Sequence, residues 1–458
     1  MGSDHDAHSA NRAEGDINLS PNRRKWADEQ LDTRAREILE QDEKYFLRQS
    51  LSTPCLTALQ AARGSAITDV QGREYLDFHG NSVHQLGHGN PEIVEAVIAQ
   101  LRALPFCPRR FTNETAVALA RKLTELAPAP LAKVLFAPGG AEAVGMALKL
   151  ARLATGRFKT VSWWDSFHGA TLDAISVGGE RLFRQGLGPL VPGAIHVPPP
   201  YSFREPFRGA KALSSPEHID YVMEREGDIA AFIAEPMRCT EVIEPPGDYW
   251  REVREICDRH GALLIFDEIP ICLGRTGFMF ACEKWGVAPD ILCIGKGLGG
   301  GVFPMAAILA RADLDIAERT ALGHYTHEKS PVGAAAALAA IRYIEDNSLL
   351  ERVRQLGADT LSALKVLASR HALIGDVRGA GLVLGLELVK PPGLTPASDE
   401  ADRVMYACLR RGLSFKVSGG NVLTLMPPLT ISDDEMDRAI QILDAALNEV
   451  EHGAPSPE

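Results

Sequence analysis

Between residues 130 and 345, short apolar runs alternate with stretches of helical spacing. The runs Lys133 to Ala137, Thr160 to Trp163, Ala230 to Ala234, Ala262 to Phe266, Ile291 to Ile294 and Met305 to Leu309 each hold four or five mostly apolar residues. Runs of that length read as strands buried on both faces, and their alternation with helices predicts an α/β fold, one parallel-dominated sheet wrapped by helices. Upstream, alternation from Gly64 to Phe78 around the turn Asp69-Val-Gln-Gly72 predicts a β meander. Pro91 then opens a helix at its first position, with Ile93, Val94, Val97, Ile98 and Leu101 at helical spacing. Downstream, the pattern predicts a long helix from Leu349 to about Ser369, a strand around Leu382 to Val389, and helices near 400 to 411 and 433 to 451.

The first 40 or so residues are polar, and residues 27 to 50 have helical spacing without a strong apolar face, as in an arm that gains order by lying on another surface. Segment 195 to 217 is rich in proline and reads as a surface loop. These patterns divide the chain into an N-terminal arm with part of a small domain (1–75), a large domain (76–345) and a C-terminal small domain (346–458). There is no internal repeat.

Two of the apolar runs end in charge. Lys296 follows Ile291-Leu-Cys-Ile-Gly295 and opens Gly297-Leu-Gly-Gly-Gly301; Asp267, 29 residues earlier, follows Ala262-Leu-Leu-Ile-Phe266. A parallel strand delivers such a group to its carboxyl end, where open α/β sheets bind ligands. An amine held among apolar walls loses proton affinity, so it forms a Schiff base with an aldehyde cofactor and then serves as a base. A carboxylate facing a pyridine nitrogen keeps that ring an electron sink. Pro138-Gly-Gly-Ala-Glu142, between a strand and a helix, offers backbone N–H groups to a phosphate, with Gly139, Gly140 and Ala141 at the turn.

Composition narrows the class. The chain has 458 residues, 45% hydrophobic and 24% charged, enough to bury a large core. A net charge of −12 argues against a nucleic-acid partner. No apolar run approaches the ~20 residues that span a bilayer, and the acidic N-terminus lacks a signal peptide's basic and apolar regions. The expected location is the cytoplasm. Eight cysteines show no CxxC pair and no metal-ligand spacing, so they read as reduced, packed thiols and no metal is expected.

The run of motifs resembles the class III aminotransferases, pyridoxal phosphate enzymes of fold type I. It comprises Tyr75-Leu-Asp-Phe78, Leu86-Gly-His-Gly-Asn-Pro91, Asp267-Glu-Ile, Gly274-Arg-Thr-Gly277, Pro289-Asp-Ile, Ile294-Gly-Lys-Gly297 and Pro427-Pro-Leu-Thr430. The resemblance implies a large domain with a mostly parallel seven-stranded sheet, a smaller α+β domain from the N- and C-terminal segments, pyridoxal 5'-phosphate as cofactor, and a homodimer with shared active sites. It also implies Phe167 of Ser166-Phe-His-Gly over the cofactor ring, His168 ordering that turn, Glu235 near the substrate, and Thr326 of Tyr325-Thr-His327 reaching the phosphate in the neighbouring subunit.

Three departures from the family pattern bear on substrate. Thr424 stands where many relatives carry an arginine that binds an α-carboxylate, so a bidentate partner is missing. Pro270 replaces a glutamine that touches the cofactor's phenolic oxygen. Met237-Arg-Cys-Thr240 replaces a glycine- and glutamine-rich run, adding Arg238. An anion would then be held elsewhere, and the candidate cations are Arg109, Arg110, Arg238, Lys329 and Lys416. His79-Gly-Asn-Ser-Val-His-Gln85, Pro105-Phe-Cys-Pro-Arg-Arg110 and Asp267-Glu-Ile-Pro270 resemble one subgroup, the (R)-1-hydroxy-2-aminoethylphosphonate ammonia-lyases. That resemblance implies elimination from a small phosphonate-bearing amine, with Tyr325, His84 or a water protonating the departing hydroxyl. The alternatives are an ω-transaminase acting on an amine such as 2-aminoethylphosphonate, and a phospho-lyase of amino-alcohol phosphates.

Overall fold

The computed structural model describes residues 20–51, 54–201, 203–204 and 215–453. The chain divides into two compact units, one of Asn90–Cys239 and Ile243–Val353, the other of the residues up to Gly89, Thr240–Val242 and those from Arg354 on.

The first unit is built on a seven-stranded sheet. In chain order its strands are β1 (Leu131–Ala137), β2 (Lys159–Trp163), β3 (Ala194–Val197), β4 (Ile229–Ala234), β5 (Leu263–Asp267), β6 (Ile291–Ile294) and β7 (Ala306–Arg311), in spatial order β1-β7-β6-β5-β4-β2-β3. Only β7 runs against its neighbours; β2, β3, β4, β5 and β6 pair in parallel. Every residue of β4, β5 and β6 is buried, which is why these strands read as continuous apolar runs. The helix Gly140–Thr155 covers one face through Ala143, Val144, Met146, Ala147 and Leu150, packed with Ala231, Ile233, Ile265, Ile291 and Cys293. Truncating a buried isoleucine such as Ile265 to alanine costs about 2–5 kcal/mol, so this layer holds the carboxyl ends of β4, β5 and β6 rigidly.

β3 lies inside the segment expected to be a loop from residue 195. It is an edge strand of four residues, and proline is tolerated beside an edge, so Pro192 and Pro198 flank a strand here. Residues 202 and 205–214 of that expected loop lie outside the described residues.

The second unit carries two sheets. Ala66–Asp69 and Glu74–Asp77 form the expected meander; Leu59–Arg63, before its expected start, pairs with the first of them, and Leu413–Ser414 joins in parallel. In the other sheet Ile374–Ala380, Val383–Lys390, Val422–Leu425 and Lys416–Ser418 pair in that order. Of these only the strand near 382–389 is anticipated by pattern; Ile374–Ala380 is Gly-, Asp- and Arg-bearing and buried only at its ends. Backbone bonds from Phe78 to Ser414 and Met426, and from Leu429 to Gln85, tie residues 78–85 to this unit, so it runs to Gly89, beyond the expected limit at residue 75.

Of the expected N-terminal arm, residues 1–19 lie outside the described residues. Ser20 caps a helix over Pro21–Gln30 by accepting the Arg23 amide. That helix buries Trp26, with Arg23 over its indole and Tyr406 at 6.4 Å, so one aromatic anchors what the apolar pattern leaves weak. Among the described residues no helix is long and apolar enough to cross a membrane.

Candidate active site

Asp267 is the last residue of β5, and the parallel register sets it opposite Cys293 on β6, three residues before Lys296. Asp267 and Lys296 therefore leave adjacent strands at the same end of the sheet. Asp267 is buried; its Oδ2 accepts from His168 Nδ1 at 2.8 Å and its Oδ1 from the Ile269 amide at 3.1 Å. Lys296 is half-buried and its backbone adopts φ 45°, the left-handed region that a non-glycine residue enters only when the surroundings hold it there. The surroundings are the glycine run: Gly295 and Gly297 flank it, and a Cβ on Gly295 would lie 3.3 Å from both Ala306 and Ile269.

Pyridoxal phosphate fits this arrangement on three counts. A buried carboxylate stands ready for a ring nitrogen, positioned by a histidine whose own Nε2 is buried without a hydrogen-bond partner among the described residues. Phe167, half-buried and 4.6 Å from the Phe183 ring, precedes that histidine. The helix Gly140–Thr155 starts at Gly139 with no side chain capping its first N–H groups, and a Cβ on Gly140 would lie 2.9 Å from Ile269 Cδ1, so backbone alone lines the approach. Ala141 continues this first turn. Glu142 leans back over Gly139, and burial, with the charges of Glu142 and Asp173 adding to it, raises the Tyr325 phenol.

Glu235 follows β4 directly, and the β4–β5 register sets it level with Asp267. It is buried, with Oε2 accepting the Cys239 amide at 3.2 Å. Its carboxyl is raised by burial, against the opposing charges of Arg238 and His168 and with Asp267 adding to the rise. Arg238 is fully buried: Nη2 donates to Glu180 Oε1 at 2.6 Å, and Nη1 lies 3.6 Å from Glu235 Oε1. Expected as a cation for a substrate anion, Arg238 instead has two carboxylates of its own. Nothing in the sequence marks Glu180, because its partner is 58 residues away and no local spacing connects them.

The remaining candidates are dispersed. Arg109 is exposed and donates to Glu328 at 3.1 Å; it lines a cleft with Lys133, Leu150 and Glu318 that contains neither Lys296 nor Asp267. Arg110, Thr326 and Lys329 are exposed. Lys416, half-buried on its strand, belongs to the second unit, as does His84, whose Nε2 bonds the Asp77 carbonyl at 2.9 Å. Asp77, His84 and His88 have ligand-type atoms within 4.8 Å of one another, a grouping the sequence spacing does not announce; His88 Nε2 bonds Asp77 Oδ2 at 2.9 Å.

Thr424 lies on Val422–Leu425 and is 1% exposed. Its hydroxyl donates to the Thr240 carbonyl at 2.6 Å and shares a 3.0 Å hydrogen bond with Ser418, so no cation and no open donor occupies this position. Pro270, buried in the turn after Asp267, contributes no donor.

Residues 48–447 match the family described as Aminotransferase class-III. The chain is 49% identical over 457 residues, covering 96% of itself and 95% of the relative, to a (R)-1-hydroxy-2-aminoethylphosphonate ammonia-lyase of Vibrio splendidus. It is 35% identical, covering 93% and 98%, to a leucine/methionine racemase of Thermococcus litoralis. Among solved structures it is similar to an aminotransferase of Bacillus anthracis (TM-score 0.84, 32% identity, covering 92% of this chain and 100% of that one). It is similar also to an amine transaminase from an uncultivated Pseudomonas species in its PLP-bound form (TM-score 0.81, 33% identity, 88% and 98%). A family match over most of the chain, full-length relatives and the same fold agree: the chain belongs to the class III aminotransferase family and is a pyridoxal-phosphate-dependent enzyme.

Proposed function

We propose that this enzyme is an ammonia-lyase that eliminates water from a hydroxylated aminoalkylphosphonate, converting (R)-1-hydroxy-2-aminoethylphosphonate to phosphonoacetaldehyde and ammonia in the cytoplasm. The observation that carries the reading is Thr424, a neutral residue with its hydroxyl engaged at 2.6 Å where an acceptor's carboxylate would need a cation. A transaminase needs a keto-acid acceptor; an elimination needs none. The 49% identity to a named lyase over 96% of the chain supports the same choice.

The bound cofactor supplies an electron-withdrawing ring that acidifies the carbon next to the substrate nitrogen. Lys296 would hold the cofactor and, once freed by the substrate amine, would take the proton from that carbon. Asp267 would hold the ring nitrogen, and its 2.8 Å bond from His168 fixes the oxygen's direction. Phe167 would stack on the ring, and the backbone N–H groups of Gly139, Gly140 and Ala141 would receive the phosphate together with Thr326 of a second copy, which would make the active form a homodimer. Loss of the hydroxyl from the neighbouring carbon releases an enamine, which water converts to aldehyde and ammonia. Eight free cysteines accord with a reducing compartment.

The second reading, an ω-transaminase acting on 2-aminoethylphosphonate, is favoured by the solved neighbours, which are transaminases. Giving the purified enzyme each enantiomer of the hydroxylated substrate separately, with no keto acid, and following ammonia by an enzyme-coupled assay decides between them. Turnover of the R form alone is expected. Ammonia from neither form, with amine transfer once pyruvate is added, would replace the lyase by the transaminase.

A further inference from the structure

Three charged side chains of the sheet unit are buried together: Glu180, Glu235 and Arg238 are 1%, 2% and 0% exposed. One guanidinium faces two carboxylates, and the two contacts are unequal. At 2.6 Å the Glu180 contact is a short charge-assisted bond, while at 3.6 Å the Glu235 contact is too long for a hydrogen bond. Glu235 Oε1 has no hydrogen-bond partner among the described residues, and Oε2 has one amide. An ionised carboxylate so sparsely compensated is costly to bury. With Oε1 unpartnered and Oε2 on a single amide, the geometry leaves Glu235 as the carboxyl that holds a proton, in keeping with the upward pull of burial on it.

Its position is equally informative. Glu235 stands level with Asp267 at the end of β4, and β4 is two strands from β6, which carries Lys296. At ~4.8 Å per strand the axes are about 10 Å apart, a gap that an amine from one side and a carboxyl from the other close around a small substrate. Of the other candidate acids, His84 has its Nε2 on the Asp77 carbonyl at 2.9 Å, and the Tyr325 phenol, raised by burial, is a weaker acid than a carboxyl.

We propose that Glu235 is the general acid of the elimination, an assignment that rests on the lyase reading. As the carbon–oxygen bond breaks, the oxygen keeps the electron pair, takes the proton from Glu235 Oε1 and leaves as water. The carboxylate left behind gains the attraction of Arg238, so that residue stabilises the form produced by the step. Lys296 has meanwhile gained the proton from carbon, and one proton passing between the two groups through solvent restores the site. Arg238 and Glu180 are positioning residues: they fix where the carboxyl stands and how tightly it holds its proton.

Glu235→Gln in the full-length, cofactor-loaded enzyme tests this, with the cofactor's visible band as the check on folding. Release of ammonia from the hydroxylated substrate is expected to fall by ~10²–10⁴-fold. Exchange of the hydrogens on the nitrogen-bearing carbon with D2O, followed by NMR, is expected to persist, because Lys296 does that work. An analogue with chloride in place of the hydroxyl, which departs without a proton, is expected to react at near wild-type rate. Infrared difference spectra of wild type against the variant should contain a protonated-carboxyl band. In the neutral double variant Glu180→Gln/Arg238→Met, the fall of activity with rising pH should move to higher pH, since the cation that favours ionisation is gone. Equal loss on hydroxyl and chloride substrates, or no loss on either, would overturn the assignment. If wild type itself eliminates neither substrate while transferring its amine to pyruvate, the lyase reading fails instead.

Discussion

At the scale of single residues, the departures from the family pattern decide more than the matches. Thr424 sits in a hydroxyl network at 1% exposure, with its proton on the Thr240 carbonyl. Thr424→Arg would bury a guanidinium without a built partner, at a cost of about 3–5 kcal/mol, so a clearly lowered melting temperature and no gain of transamination are expected. A variant that melts like wild type and passes its amine to pyruvate would show that only the arginine was wanting. Lys296 and Asp267 are legible in the sequence because each ends a fully apolar run, and a charge at such a place has few structural uses. Glu180 is not legible, and Arg238 is misread without it. An ion pair across 58 residues leaves no periodicity, and only the fold reveals that the arginine is enclosed by its own counter-charges.

Turns at the ends of elements hold these residues in place. Gly140 begins its helix against Ile269, whose amide also bonds Asp267, so a Cβ at 2.9 Å from Ile269 Cδ1 would push on both the phosphate approach and the carboxylate. Overpacking of this kind costs about 1–3 kcal/mol. Gly140→Ala should therefore weaken cofactor binding roughly tenfold or more in a visible-absorbance titration, and an unchanged affinity would remove this turn from the cofactor site. Glu268, next to Asp267, accepts the amides of Ala281 and Cys282 and is fully buried; desolvation pushes its carboxyl up to about 7. A raised carboxyl binds its proton more tightly in the folded state, so its contribution to stability is present at low pH and is lost as pH rises from the ordinary carboxylate range towards 7. Melting temperature should decline over that window in wild type more than in Glu268→Gln; parallel curves would contradict it. Central strands are readable from sequence because burial on both faces leaves no polar positions. The edge strand Ala194–Val197 is not, since its partial burial and flanking prolines carry a loop's signature.

For the whole molecule, pattern alone yields the α/β class and six of the seven strands of the large sheet, while the assignment of residues 78–89 to the second unit emerges from long-range backbone pairing with Ser414, Met426 and Leu429. The same limit applies to function. A transaminase, a racemase and a lyase are all similar to this chain over most of its length, so reaction type rests on a few side chains and on the degree of similarity. The most direct test of the account is phosphorus NMR of racemic 1-hydroxy-2-aminoethylphosphonate incubated with cofactor-loaded enzyme and no keto acid. Conversion that stops at half, giving one new resonance for phosphonoacetaldehyde with an equal amount of ammonia, is the predicted result. A spectrum that stays unchanged until pyruvate or 2-oxoglutarate is added would contradict it.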